Sequence, residues 1–167
     1  MDAELAQLSI RVGEWLAARG AMLATAESCT GGWIAETVTA TSGSSSWFDR
    51  AWVTYSNEAK QDMLGVTTDT LAAHGAVSEP VTLEMAQGAL SRSKAMYAIS
   101  VSGVAGPTGG TPDKPVGMVC FGWASNERVE TATAHFDGDR EAVRRQAVIF
   151  ALEGLIMRRL GGATQLA

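Results

Sequence analysis

Basic residues are in short supply in this chain of 167 residues: 13 Lys and Arg stand against 18 Asp and Glu, for a net charge of -5. A protein that grips nucleic acid or an anionic membrane needs a basic face, so no general binding to either is expected. Cysteine is scarcer still, with Cys29 and Cys120 alone. Two thiols make no disulfide framework, which points to a reducing cytoplasm. The two histidines, His74 and His135, are far apart in the chain and have no ligand spacing around them, so neither zinc nor another metal is expected. No apolar run approaches the roughly 20 residues of a membrane span. The opening MDAELAQLSIRVGEWL is acidic and amphipathic, unlike the basic start and apolar core of a signal peptide.

What is present is an ordinary globular balance, 46% apolar and 19% charged. The length suits one core, and with no repeat and no linker, residues 1–167 read as a single domain. Leu5, Leu8, Val12, Trp15 and Leu16 share one helical face, with Gly20 as a stop. AMLATAES (21–28) reads as a short apolar strand, and the CTGG turn leads into a helix near 31–40. The aromatic and β-branched WFDRAWVTYS (47–56) suits a second strand. Helices over 57–64 and 68–73 follow, with Gly75 as terminator; Ser78 caps a longer helix that tolerates Pro80 in its first turn. AMYAISVSGVAG (95–106) is a buried strand running into the Gly- and Pro-rich loop GPTGGTPDKP, and VGMVCFGWA with RVETATAHF form an antiparallel hairpin around SNE. A long helix closes the chain from DGDREAV to a Gly-Gly stop. The early alternation of helices and strands, then a hairpin, predicts an α/β fold: a three-layer α/β/α domain on a mixed sheet.

Chemistry concentrates at AESCTGG (26–32), where a strand becomes a helix and Ser28, Cys29 and Thr30 each carry a nucleophilic atom. Backbone N–H groups at such a junction lack internal partners and favour an anion, including the oxyanion of acyl transfer. Gly31 and Gly32 allow close approach of a substrate. Ser28 or Thr30 can equally be a plain helix cap, with the glycines turning the chain. A hydroxyl needs a base, and neither histidine is placed to act as one. Lys60, in VTYSNEAK, is the better base: with Asn57 capping the next helix it falls in the first turn, where the macrodipole and burial both favour the neutral amine. Tyr55 could relay or orient the proton. The competing assignment makes Lys60 a surface residue paired with nearby acids. In DGDREAVRR (137–145), Arg140 near a helix start and Arg144 one turn on could meet a phosphate, or pair with Asp137, Asp139 or Glu141.

Taken together, AESCTGGW, GSSSWFDRAWVTYSNEAK, LGV, HGAVSEPV, SGVAGPTGGTPDKPVG and DGDREAVRRQA resemble the CinA C-terminal domain family in its stand-alone form, over essentially the whole chain. The resemblance implies a cytoplasmic bacterial amidohydrolase that converts nicotinamide mononucleotide to nicotinic acid mononucleotide and ammonia, in pyridine-nucleotide salvage. Some members carry an extra N-terminal domain resembling molybdopterin-binding proteins, and nothing tied to that domain carries over. The family's Ser–Lys assignment falls on Ser28 and Lys60, with Tyr55 assisting; the backbone N–H groups around Thr30 to Gly32 are then the expected oxyanion donors. No cofactor is implied. For the nucleotide, Arg140 and then Arg144 are the expected phosphate partners, with Ser102, Gly103 and Ala105 as further contacts. Two other readings stay open: a nucleotide-binding module without turnover, and the same hydrolysis run by Cys29. Five tryptophans and scattered apolar residues on exposed faces are compatible with a homodimer.

Overall fold

Strand residues alternate faces, and this period organises the molecule. The computed structural model describes residues 1–158 and 160. Its strands are β1 (Leu23–Glu27), β2 (Phe48–Val53), β3 (Tyr97–Gly103), β4 (Met118–Ser125) and β5 (Val129–His135). They form one sheet in the order β2-β1-β3-β4-β5. β2, β1 and β3 run parallel, and β4 and β5 complete the sheet as antiparallel partners. The expected mixed sheet with a terminal hairpin is therefore observed.

On one face Leu23, Tyr97, Ile99, Val101, Val119, Phe121 and Trp123 join a core with α1 (Ala3–Ala18), α2 (Trp33–Thr39) and α6 (Arg140–Met157). On the other, Ala24 and Ala26 of β1 and Ala98 of β3 lie towards α3 (Asn57–Leu64), α4 (Thr68–His74) and α5 (Glu79–Ser91), where Ala26 and Ala98 join Leu64, Leu71, Val81, Met85 and Ala86 in a second core. That second face is built from small residues, so α5 lies close against it. Ser100 Oγ donates to the Thr82 carbonyl at 2.6 Å, and a Cβ on Gly122 would meet that same oxygen at 2.6 Å. The three layers are thus α1/α2/α6, sheet, and α3/α4/α5.

Several boundaries move. β2 ends at Val53 rather than Ser56, because Ser56 leaves the sheet to cap α3. Its Oγ accepts from the Ala59 N–H at 3.0 Å, so Ser56 takes the place expected for Asn57. α2 starts at Trp33, after a turn in which Gly31 and Gly32 take positive φ of 59° and 99°. Gly20 (φ 59°) and the Ser78 cap stand where they were expected. The Gly-Gly stop after α6 lies outside the described residues.

Candidate active site

Alternation along β1 places Glu27 on the α2 face and sends Ser28 to the other, where α3 lies. Ser28 sits at the carboxyl end of β1, beside the ends of β2 and β3. In open α/β sheets ligands bind outside such strand ends, where the chain leaves neighbouring strands in opposite directions. Here β1 connects towards β2, and β3 connects towards β4.

Lys60 reaches this point from α3. Helical side chains lean towards the N-terminus, which carries its amine back over the start of the helix. Lys60 Nζ lies 3.2 Å from Ser28 Oγ, 2.8 Å from the Thr54 carbonyl and 3.4 Å from the Tyr55 carbonyl. The residue is 1% exposed, and no carboxylate pairs with it among the described residues. Burial pulls the amine below its ordinary value of 10.5, with the Cys29 thiol pushing weakly the other way. A neutral amine has two N–H donors and one lone pair. An ammonium would donate to all three oxygens, whereas a neutral amine would donate to the two carbonyls and turn its lone pair to the serine O–H. With the cap at Ser56, Lys60 starts the second helical turn, so desolvation outweighs the macrodipole as the cause.

The thiol next door has the opposite character. Cys29 is buried, and desolvation raises it to about 12 in spite of nearby Arg144, so it carries no thiolate near neutrality.

Glu27 is fully buried and gathers the donors of the turn. Its Oε1 accepts from Thr30 Oγ1 at 2.6 Å, the Gly32 N–H at 3.1 Å and the Ile34 N–H at 3.0 Å. Its Oε2 accepts from the Ala35 N–H at 2.9 Å and from Thr25 Oγ1 at 3.3 Å. This corrects the expected oxyanion donors. The Gly32 N–H belongs to Glu27, and the Gly31 N–H donates to the Ser28 carbonyl at 3.0 Å. Neither Ser28 nor Thr30 caps α2: Gly32 holds the N-cap position without a capping side chain, the Ile34 and Ala35 N–H groups go to Glu27, and the Thr30 hydroxyl donates to Glu27. Among the described residues the N–H groups of Cys29 and Thr30 have no acceptor, apart from the contact of the Cys29 N–H with its own sulfur.

The cleft at Ser28 and Lys60 has a volume of about 380 Å³, within the usual range of about 300–1,000 Å³ for a small-molecule site. Cys29, Tyr55, Ser102, Gly103, Ala105 and Arg140 line it; Thr30, Gly31, Gly32 and Arg144 do not. Ser102 Oγ donates to the Ala76 carbonyl at 2.8 Å, tying β3 to the segment before α5. Arg140 stands at the rim, its Nη1 donating to the Gly106 carbonyl at 2.8 Å and its Nη2 to the Tyr55 hydroxyl at 3.2 Å. It forms no ion pair among the described residues, so its charge is open to an anion. Tyr55 therefore meets Lys60 through its carbonyl and Arg140 through its hydroxyl. Arg144 instead donates from Nε to the Cys29 carbonyl at 3.0 Å and from Nη2 to the Thr30 carbonyl at 3.3 Å. Ala76, Val77, Gly106, Thr108 and Gly109 also line the cleft; they fall within the quoted segments HGAVSEPV and SGVAGPTGG, without an individual signal that singles them out. Glu27 did carry one: an acid directly before the candidate nucleophile, and so on the opposite face.

A larger cavity, about 570 Å³, opens between β5 and α6, but its lining of Arg128, Glu130, Phe150, Glu153, Met157 and Arg158 offers no nucleophile with a base. His74 and His135 are exposed and lie away from the cleft. No group of metal-ligating side chains occurs among the described residues. No described helix is long and apolar enough to cross a membrane.

Fold and site together define an α/β/α protein with a serine hydroxyl set against a buried lysine amine at the ends of its parallel strands. The chain belongs to the CinA C-terminal domain family, whose model matches residues 5–158. It is 59% identical over 156 residues to the nicotinamide-nucleotide amidohydrolase PncC of Escherichia coli (strain K12), covering 92% of this chain and 94% of the relative. The protein of the same name from Pseudomonas putida is 52% identical over 149 residues, 89% of this chain and 93% of the relative. Among solved structures, the competence/damage inducible protein CihA from Agrobacterium tumefaciens superposes with a TM-score of 0.90 at 44% identity, covering 93% and 96% of the two chains.

Proposed function

We propose that this protein is a nicotinamide-nucleotide amidase, hydrolysing the carboxamide of nicotinamide mononucleotide to nicotinic acid mononucleotide and ammonia through Ser28 and Lys60. The observation that carries this reading is the contact of 3.2 Å between Ser28 Oγ and a buried amine that no carboxylate neutralises. The name shared by the bacterial relatives supports the substrate.

Neutral Lys60 takes the Ser28 proton as Oγ bonds to the carboxamide carbon. The carbonyl oxygen becomes an oxyanion facing the free N–H groups of Cys29 and Thr30. Collapse breaks the C–N bond, and the lysine proton leaves with the amine as ammonia. Water then attacks the acyl-enzyme, Lys60 accepting its proton and returning it to Ser28 Oγ. Tyr55 holds the amine through its carbonyl and Arg140 through its hydroxyl, and Arg140 meets the phosphate. No step calls for a cofactor. Residues 1–167 act as one domain, in the reducing cytoplasm that two free thiols suit, and the product feeds pyridine-nucleotide salvage.

Ammonia release from nicotinamide mononucleotide tests the reading on the wild type, Ser28→Ala, Lys60→Ala and Cys29→Ala. Loss of the nucleophile or the base should lower kcat by about 10³-fold or more. Cys29→Ala should stay within about tenfold of wild type, because it removes only a buried packing group. Near-full activity in Ser28→Ala would overturn the mechanism. Binding without ammonia release in the wild type would leave a non-catalytic nucleotide module.

A further inference from the structure

We propose that Arg144 and Glu27 are positioning residues for acyl transfer, clamping the Ser28–Thr30 turn so that its free N–H groups face the reacting carbonyl. The inference rests on the amidase reading above and deepens it.

The turn is held by two opposite charges that do not touch each other. Glu27, wholly buried, collects donors: one hydroxyl and one N–H inside the turn, and two N–H groups of α2. Arg144, reaching in from α6, collects acceptors, the carbonyls of Cys29 and Thr30. A guanidinium presents its donors in a rigid fork, so two carbonyls held by one fork cannot rotate independently. In a trans peptide the C=O and the N–H point to opposite sides. A Cys29 carbonyl drawn towards α6 therefore turns the Thr30 N–H away from α6. The same Thr30 N–H is one of the two donors in the turn with no acceptor. Every other backbone donor from Ser28 to Trp33 is occupied: Ser28 N–H by the Val101 carbonyl at 3.0 Å, Gly31 by Ser28, Gly32 by Glu27, and Trp33 by the Thr30 carbonyl at 2.9 Å.

The donors of the turn are thus occupied except at Cys29 and Thr30, and the two side chains hold the turn in that state. Arg144 also places a positive charge behind the Cys29–Thr30 peptide, which polarises that peptide in the direction its N–H needs to donate. Arg144 stands outside the cleft, with its guanidinium carbon 5.4 Å from the centre of the Trp33 ring, so it is not expected to touch the substrate.

The test compares the full chain as wild type, Arg144→Ala, Arg144→Lys and Glu27→Gln, by steady-state ammonia release with melting temperatures alongside. Loss of one oxyanion donor costs about 10²–10³ in kcat, so a misdirected donor should cost Arg144→Ala about tenfold to hundredfold. KM for nicotinamide mononucleotide should stay within about twofold, since no substrate contact is removed. The rising limb of the pH profile should keep its midpoint, because Lys60 is untouched. Free methylguanidinium should restore part of the kcat of Arg144→Ala. Glu27→Gln, which turns an NH₂ towards donors, should lower kcat and spare KM. Arg144→Lys keeps the charge without the fork and should fall between wild type and Arg144→Ala, which covers the case of an alanine variant that does not fold. A raised KM at constant kcat would make Arg144 a substrate ligand and overturn the proposal, as would a full wild-type kcat in Arg144→Lys. A lower melting temperature with kcat and KM unchanged would reduce the clamp to plain structural support. If the wild type released no ammonia, the amidase reading would fall and this inference with it. An active wild type beside an unaffected Arg144→Ala would sink the inference alone.

Discussion

A lysine amine in water titrates near 10.5; burial at position 60 disfavours its charged form. Burial lowers it from 10.5, so between that lowered value and 10.5 the folded chain binds fewer protons than the unfolded one. Stability contributed by this group is therefore present in full above 10.5 and is lost as the pH falls through the folded value. Relative to Lys60→Met, the wild type should gain melting temperature as the pH is raised from about 7 to about 10. A constant difference across that range would show that the amine titrates alike in both states. Under the proposed Ser28–Lys60 mechanism the same shift governs activity: kcat/KM should climb with pH to a plateau, with a midpoint below 10.5, and lose this limb in no variant that keeps Lys60 in place. Cys29 has the reverse problem, since a thiol held near about 12 offers no nucleophile under the same conditions.

Helices and strands deliver these side chains, and their placement was legible where the signal is local. Ser78, Gly20 and the apolar runs of β1 and β3 all announce themselves within a few residues, because caps, stops and short apolar strands are local signals. The start of α3 was misplaced by one residue because Ser56 and Asn57 are both good caps and only tertiary position chooses between them. The order β2-β1-β3-β4-β5 was not legible, since it depends on pairings between segments far apart in the chain. Gly88 shows what such packing demands. A Cβ there would lie 2.0 Å from the Leu64 carbonyl at the end of α3, a backbone atom that cannot swing aside. Ala is the better helix former by about 1 kcal/mol, yet overpacking of this kind costs about 1–3 kcal/mol or more. Gly88→Ala should therefore destabilise the protein in urea unfolding and lower kcat as well, because α3 carries Lys60. Unchanged stability would mean that α3 and α5 separate freely.

The whole cleft exists only in the folded chain. Ser28 comes from the turn after β1, Lys60 from α3, Ser102 and Gly103 from β3, Thr108 and Gly109 from the following loop, and Arg140 from α6. Residue types alone suggested two arginines for the phosphate, and packing separates them: Arg144 is spent on the carbonyls of the nucleophile turn, whereas Arg140 faces the cleft without an acidic partner. In the proposed reading Arg140, a cation with no acidic partner among the described residues, acts on the charged end of the substrate and not on the bond that breaks. Arg140→Ala should raise KM for nicotinamide mononucleotide by about tenfold to hundredfold, the scale of one charge-assisted contact, and leave kcat within about threefold. The riboside, which has no phosphate, should be little affected by the same change. Inorganic phosphate should compete with the nucleotide on the wild type and lose that effect in Arg140→Ala, increasingly so at low salt, where the attraction is least screened. An equal loss on nucleotide and riboside would instead trace to the two bonds Arg140 makes, to Gly106 and Tyr55, and so to collapse of the rim rather than to loss of a phosphate contact.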